Sequence, residues 1–578
     1  MYRGAARFTE SLYDVRGSRE LSVAELSLGV GEKWSSKMSS AIAKKVWRCV
    51  FRTRTSVYVL LLVCVLPTGS FLGQTCQDHT PKQAVKIEAL PASILSAPIG
   101  LQRGIGNAHE KISTSSKEAQ AYYDQGLSFL YSYDWIHAAR SFHQASRLDP
   151  ELAMPYLGLS YVHSAFGNDA LAHEMVIKAR QLAGRASAGE RARIDLREKQ
   201  LQSMEDEFNG HASTVFLKAL EQALANDRNN VILLLMRGVA AEGNASAIGQ
   251  RGRQESIGYF ERVLQLEPEN AAAHHLLIHA NEMVNNIPQA VKHAEMYQRL
   301  SPAVAHAHHM YGHDLRRTDH VREAIAQFEE ADRIDEASYR SEPKTFLYDW
   351  NYRHNLNLLA ATYAQAGLTA AAEKTFRKIA GLRTIGPADD LYKARLAMFL
   401  LREGRNQEAM IAAAGLRGSE FAVGRLLAHA LAGSASARRA NVPQAIQELA
   451  LAEKEASSLD PAWYGLVASN MEILRAQVEF LRGERARASA RLHQEAEHVR
   501  ALPGSDAWSD ALFELRFVAE IAIDAGDWEL ARFAAQQLLD HAPLYPGTHT
   551  LLARLAEHDG NTSAALRESR RVKQLERQ

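Results

Sequence analysis

The sequence predicts an all-α chain, a solenoid of about twelve stacked helix pairs, and three observations carry that expectation. From Ala119 onward alanine and leucine recur at helical spacing, and no window alternates apolar and polar residues as a half-buried strand does. Prolines beyond that point are few and fall where a helix pair ends. Small and aromatic residues also return in one fixed register, which is the mark of a repeat architecture. At 578 residues the chain is too long for a single compact core, so an extended array or several domains are the choices. Hydrophobic residues at 46% exclude disorder as the main state.

Charge and cysteine content narrow the partners. Lys+Arg and Asp+Glu both number 67, and no segment beyond the first 55 residues is strongly basic, so no nucleic-acid partner is expected. The cysteines are Cys49, Cys64 and Cys76. Removal of an export signal would leave Cys76 alone, which rules out an intramolecular disulfide and paired-thiolate metal sites.

Residues 1–73 read as an N-terminal extension followed by a signal peptide or anchor. Lys44, Lys45, Arg48, Arg52 and Arg54 precede the apolar run Val57–Leu66, which ends at Pro67, Gly69 and Ser70. That run is short against the roughly 20 residues of a bilayer span, so the expectation is an exported, periplasmic or envelope protein. Extension of the run to Gly73 leaves a single-pass inner-membrane anchor as the alternative, the one route to a membrane. Met38 stands where a normal signal would begin and is a candidate true start. The context of Cys76 lacks the residues of a lipoprotein box, so lipidation is the lesser alternative. Residues 74–115, with Pro81, Pro91 and Pro98 and no periodicity, read as a linker.

The array follows, divided on the sequence into 116–386 and 387–578. With Gly126 as position 8 of a repeat unit, Phe129 is position 11, Ala138 is 20, Phe142 is 24, Ala145 is 27 and Pro150 is 32. Small residues at 8 and 20 let two helices approach closely, aromatics at 11 and 24 fill the gap, and proline at 32 closes the second helix. The register returns with Gly312, Ala360, Ala519 and Ala553 at position 8, and with Phe260 and Pro268 at 24 and 32 beyond an insertion near residues 243–253. Residues 185–225 and 388–460 keep it only loosely.

On these residues the chain resembles the tetratricopeptide repeat family over most of its length. The resemblance implies a right-handed helical solenoid whose first (A) helices line a concave groove at positions 2, 5, 9 and 12, and a protein or peptide partner held there.

No phosphate-binding loop, dinucleotide fingerprint, nucleophile elbow or HExxH motif is present, which lowers the prior for an enzyme. Histidine, however, is unevenly spread: of 23, ten lie between 274 and 354. In register His275 and His279 are positions 5 and 9 of one unit with Glu282 at 12. His309 and His313 are 5 and 9 of the next, with His306 at 2 and Arg316 at 12, and His354 and Asn357 are 2 and 5 of the one after. Residues i and i+4 share a helix face about 5–6 Å apart, and packed helices lie about 8–10 Å apart. Four imidazoles, His275, His279, His309 and His313, are therefore expected in a rough square with His354 and Glu282 at its margins. Such a set suits Zn, Cu, Fe or Ni. The pairs HLLIH and HMYGH followed by HNLNLL are also similar to a group of uncharacterised bacterial exported tetratricopeptide proteins, and that resemblance implies a further histidine where Asn357 stands.

Two functions stay open on the sequence. One is an exported scaffold whose groove takes a protein or peptide, with His306, Arg316, Arg317 and Asn357 as partner-binding residues; as an anchored chain it would be an assembly factor. The other is a transition-metal protein built on the histidine cluster. His274 and His308 are expected to be packing or surface residues, Tyr131, Tyr133 and Trp135 to be packing, Glu205–Glu207 a solvated run, and His163 an isolated groove residue.

Overall fold

The computed structural model describes residues 91–205, 210–242, 252–340 and 345–576. The signal or anchor, Met38 and all three cysteines lie outside the described residues. Among the described residues there is no strand, and no helix is long and apolar enough to cross a membrane.

After the short helix α1 (Ala92–Leu95), twelve helix pairs follow one another. They are α2 (Lys117–Tyr131) with α3 (Trp135–Leu148), α4 (Met154–Ala165) with α5 (Asp169–Gln181), α6 (Ala188–Glu205) with α7 (Gly210–Asn226), and α8 (Val231–Ala241) with α9 (Gln254–Leu266). The central pairs are α10 (Ala271–Met283) with α11 (Ile287–Leu300), α12 (Ala305–Arg317) with α13 (Val321–Tyr339), and α14 (Trp350–Gln365) with α15 (Thr369–Ala380). Next come α16 (Pro387–Arg402) with α17 (Asn406–Ala414) and α18 (Ala422–Arg438) with α19 (Val442–Ala456). The short α20 (Pro461–Gly465) precedes the last three pairs. These are α21 (Ala468–Leu481) with α22 (Arg485–Ala501), α23 (Ser505–Asp524) with α24 (Trp528–His541), and α25 (Pro546–His558) with α26 (Thr562–Leu575). The loosely patterned stretches form pairs like the rest, because packing of an apolar stripe decides helix formation more than motif residues do.

Sequence register explains the pairing. A Cβ at Gly126 would lie 2.5 Å from the Phe142 ring, and one at Gly312 would lie 2.9 Å from Phe328. Glycine at position 8 thus admits the aromatic of position 24, and that ring is fully buried in both units. Many pairs turn on a left-handed residue at position 15, which reverses the chain without a long loop: Gly367, Gly526 and Gly560 are examples. In the first pair that residue is Tyr133, at φ 58°. Asx caps such as Asn270 on α10 and Asp349 on α14 fix where the central A helices start.

Two observations bear on how the chain is organised. The stretch read as a linker is fastened to the array from Pro91 onward. Ile105 and Ile112 are buried, the Ala303 amide donates to the Gly104 carbonyl at 2.8 Å, and Asn107 bonds Glu269 and Ala271. A proline-rich, aperiodic segment lacks helical signal but still carries apolar residues that the array can bury. One apolar core runs from Tyr352 to Leu555, across residue 387, and the described residues belong to one compact unit.

Helices distant in sequence also meet. The end of α2 reaches α10, where the Tyr131 carbonyl faces His275, and the start of α23 reaches α10 and α12 through Ser505 and Ser509. The histidine-rich A helices are consequently covered rather than open.

Candidate metal centre

The histidines divide into two kinds by repeat position. Position 4 is structural. His274 Nε2 lies 3.1 Å from the Pro268 carbonyl, His308 Nε2 lies 3.1 Å from that of Pro302, and His549 Nε2 lies 2.8 Å from that of Pro543. Each satisfies the carbonyl exposed where the preceding unit ends, the packing role expected for His274 and His308.

Positions 5, 9 and 2 build something else. The pair at 5 and 9 of one unit meets the position-2 histidine of the next, and this happens twice. His275, His279 and His306 bring one ring nitrogen each within 4.8 Å of one another, and so do His309, His313 and His354. Two triads therefore replace the expected square. Adjoining A helices are offset along their length, so position 2 of the later helix, not its position 5, faces the earlier pair. His306 and His354 complete the triads, whereas the sequence had His306 as a partner contact and His354 at the margin.

In the first triad His275 Nδ1 lies 2.5 Å from the Tyr131 carbonyl, which fixes the proton on Nδ1 and leaves a lone pair on Nε2. The Nε2 atoms of His279 and His306 both lie 3.1 Å from it. One lone pair cannot accept from both, so protons alone leave the cluster unsatisfied. Tetrahedral zinc with bonds of about 2.0–2.1 Å sets its ligand nitrogens about 3.3 Å apart, close to what is seen here. The Tyr133 ring packs on all three, with centroids 4.5 Å from His275, 5.8 Å from His279 and 5.3 Å from His306.

In the second triad Asn355 Oδ1 accepts from His309 Nδ1 at 3.0 Å. The Asn355 amide is itself oriented by donating to the Phe328 carbonyl, also at 3.0 Å. His309 Nε2 and both His313 nitrogens are buried without a hydrogen-bond partner. His354 Nδ1 lies 3.4 Å from the Tyr392 hydroxyl and its Nε2 lies 3.5 Å from the Asp506 carboxylate. The triads adjoin, with the rings of His306 and His309 stacked 5.5 Å apart.

Glu282 joins them. One of its carboxylate oxygens lies 3.6 Å from His279 Nδ1 and the other 3.5 Å from His313 Nδ1, and Ser505 Oγ donates to Glu282 as well. Burial pushes the Glu282 carboxyl up, but the imidazoles of His279 and His313 outweigh it and hold the group well below the usual carboxylate range. At 3.5–3.6 Å these are charge contacts rather than hydrogen bonds; an ionised carboxylate beside Nδ1 favours the proton there and leaves Nε2 of both histidines free to ligate, akin to the carboxylate–histidine support of metal sites. Burial, reinforced by neighbouring imidazoles, keeps His275, His306, His309 and His354 below the usual histidine range and so neutral. Neutral imidazole is the ligating form.

Of the remaining expected partner residues, Arg316 and Asn357 are buried and Arg317 is half-buried. Arg316 is buried, donating to Gln365 at 2.6 Å and to Ser509 at 2.7 Å, and Arg317 donates to Asn285 and Ser505. Asn357 is buried one turn beyond His354. His163 is buried too, away from both triads. Sequence reasoning missed Tyr131, Tyr133, Asn355 and Trp350, whose ring lies 6.1 Å from His306 and 5.7 Å from His354. One signal was available: an aromatic residue at position 15, where other turns place glycine.

A second cluster has the order of a charge relay. Ser338 Oγ lies 3.1 Å from His137 Nε2, and His137 Nδ1 lies 2.7 Å from Asp134. Ser338, however, ends α13, where helix carbonyls would destabilise an oxyanion, and Asp134 caps α3. The contacts tie α13 to α3.

No protein-family model matches the sequence, and no curated protein is similar to it. Among solved structures the chain is similar to the human IFIT1 dimer with PPP-AAAA, at 13% identity and TM-score 0.36 over 73% of this chain and 90% of that one. Yeast Tom70 is 10% identical with TM-score 0.34, over 75% of this chain and 92% of its own. The Cut9–Hcn1 hetero-tetramer gives 11% and 0.30, over 80% and 94%. Scores this low bear on neither ligand nor function. In fold, the chain is an all-α array of twelve helix pairs among the described residues.

Proposed function

We propose that the chain is a transition-metal protein whose two triads, His275/His279/His306 and His309/His313/His354, each bind one ion. The observation that carries this reading is the convergence of three imidazole nitrogens, twice over, all buried but His279, with Nδ1 of His275 and His309 facing the Tyr131 carbonyl and Asn355 and the Glu282 carboxylate beside Nδ1 of His279 and His313. Three imidazoles favour Zn, Cu, Fe or Ni and leave a coordination position for water or substrate, the pattern of catalytic rather than structural sites. An ion in each triad would polarise a ligand there or lower the pKa of bound water; the protein contributes a neutral, pre-oriented ligand set.

Metal analysis of untagged protein tests it. The native chain should carry or take up close to two equivalents, His309→Ala/His313→Ala one, and His275→Ala/His279→Ala one. Failure to take up metal on reconstitution removes the reading.

The second reading, an exported scaffold that holds a protein or peptide, rests on the repeat array itself. In it the partner would lie outside the covered histidine-rich helices. The basic flank and apolar run at residues 44–66 support export to the periplasm or envelope, and fractionation of cells with an antibody to residues 116–578 separates a released chain from an anchored one.

A further inference from the structure

Helix α23 starts against the histidine centre, and most polar side chains of its first turns are engaged there. The Ser505 hydroxyl donates to Glu282, the Ser509 hydroxyl accepts from Arg316 at 2.7 Å, and Asp510 takes Arg395 in a bidentate pair at 2.6 and 2.9 Å. Asp506 differs. Among the described residues its carboxylate accepts no hydrogen bond, and the group it touches belongs to the second triad: Oδ1 lies 3.5 Å from His354 Nε2. The nearby arginines do not claim it, because Arg395 is held by Asp510 and Arg316 gives Nε to Gln365 and Nη1 to Ser509.

That geometry suits a ligand. Donor atoms around tetrahedral zinc stand about 3.3 Å apart, and the contact between Asp506 and His354 is close to one such edge. Nδ1 of the same ring lies 3.4 Å from the Tyr392 hydroxyl, which can take the ring proton there and leave the Nε2 lone pair to an ion. The carboxylate stands on the solvent side of the triad, its side chain 59% exposed against 8% for His354. The contact is with the His354 edge, and two side-chain torsions, pinned by no other bond, can carry an oxygen the remaining distance toward His309 and His313. Ser505 and Ser509 meanwhile hold the backbone on either side in place. The first triad has no counterpart. Among the described residues Glu282 is the one carboxylate paired with its imidazoles, and it faces Nδ1 of His279.

Resting on the metal reading above, we propose that Asp506 is the fourth ligand of the ion at His309, His313 and His354. Three imidazoles and a carboxylate close that coordination sphere, whereas the first ion keeps its open position. The two ions then differ in role: the second fastens α23 to the central A helices, and the first is the one available to water or substrate.

Cobalt-loaded full-length protein tests this. Asp506→Cys replaces the carboxylate by a thiolate, and a sulfur-to-cobalt charge-transfer band absent from the native chain should appear in the near ultraviolet. Adding His309→Ala/His313→Ala should abolish that band. Asp506→Ala should weaken one of the two cobalt steps roughly 100-fold or more, beyond the range for a lost outer partner. The other step should stay native, with unchanged circular dichroism because the side chain is exposed. Asp506→Cys protein with full cobalt content and no such band overturns the ligand assignment and leaves the metal centre standing, as does Asp506→Ala protein in which both steps stay native. A band that survives loss of His309 and His313 puts the thiolate on another ion and overturns the assignment as well. Protein that takes up no cobalt overturns the metal reading, and the role of Asp506 with it.

Discussion

Replacing Glu282 by glutamine separates a shared support from two independent sites. In the native chain each carboxylate oxygen faces one imidazole Nδ1, at 3.6 Å for His279 and 3.5 Å for His313. Glutamine keeps the shape but only one acceptor; its other terminus is an NH₂ that meets an N–H. The histidine on that side must turn away or carry its proton on Nε2, the ligating nitrogen. Loss of such an outer partner costs about 10- to 100-fold in metal affinity, or about 1.4–2.8 kcal/mol. One of two equivalents should therefore weaken by that factor while the other keeps the better part of its affinity. Competitive zinc titration against a chromophoric chelator reads both steps. Ser505→Ala, which removes a hydrogen bond to Glu282 but no acceptor, is the control and should leave both steps close to native. A Glu282→Gln protein in which neither equivalent weakens would refute the bridging role.

Three further outcomes follow from packing and titration. Gly312→Ala places a Cβ 2.9 Å from the Phe328 ring, should cost about 1–3 kcal/mol in chemical denaturation, and should weaken the second triad, since that ring touches His309 and His313. Tyr133→Gly relieves a left-handed tyrosine worth about 1 kcal/mol but removes the ring packed on the first triad, so its first zinc step should weaken without a gain in net stability. His143, His293 and His541 are each lowered to about 4, chiefly by burial. Because the unfolded chain then binds more protons, this stability is intact above pH 6.5 and is lost as pH falls toward 4, on the order of 1 kcal/mol per imidazole at pH 5 after allowing for partial exposure. The midpoint of metal-free protein should drop steadily from pH 7 to pH 5, and a flat profile contradicts the burial argument.

The fold was legible because small and aromatic residues at positions 8, 20 and 24 report close helix packing directly. The site was half legible. Repeat phase places positions 5 and 9 on one face, and so His275 with His279 and His309 with His313. It does not contain the offset between successive A helices, which decides that His306 and His354, rather than the facing pair, complete each triad. Tyr131 and Asn355 could not be found by pattern at all. One contributes a backbone carbonyl across 144 positions, and the other is an ordinary amide at position 3. Coverage of the groove by α23 depends on how the array curls, a property summed over many pairs that no single motif encodes. The same curl buries Arg316, which occupies the expected groove position and donates from Nε to Gln365 and from Nη1 to Ser509.

Anomalous-scattering data on crystals of zinc- or copper-loaded protein test the centre most directly. Two peaks are expected, each about 2.0–2.1 Å from three imidazole nitrogens, one among His275, His279 and His306 and the other among His309, His313 and His354. A single peak between the two pairs, or none in crystals grown with excess metal, would contradict the two-triad account.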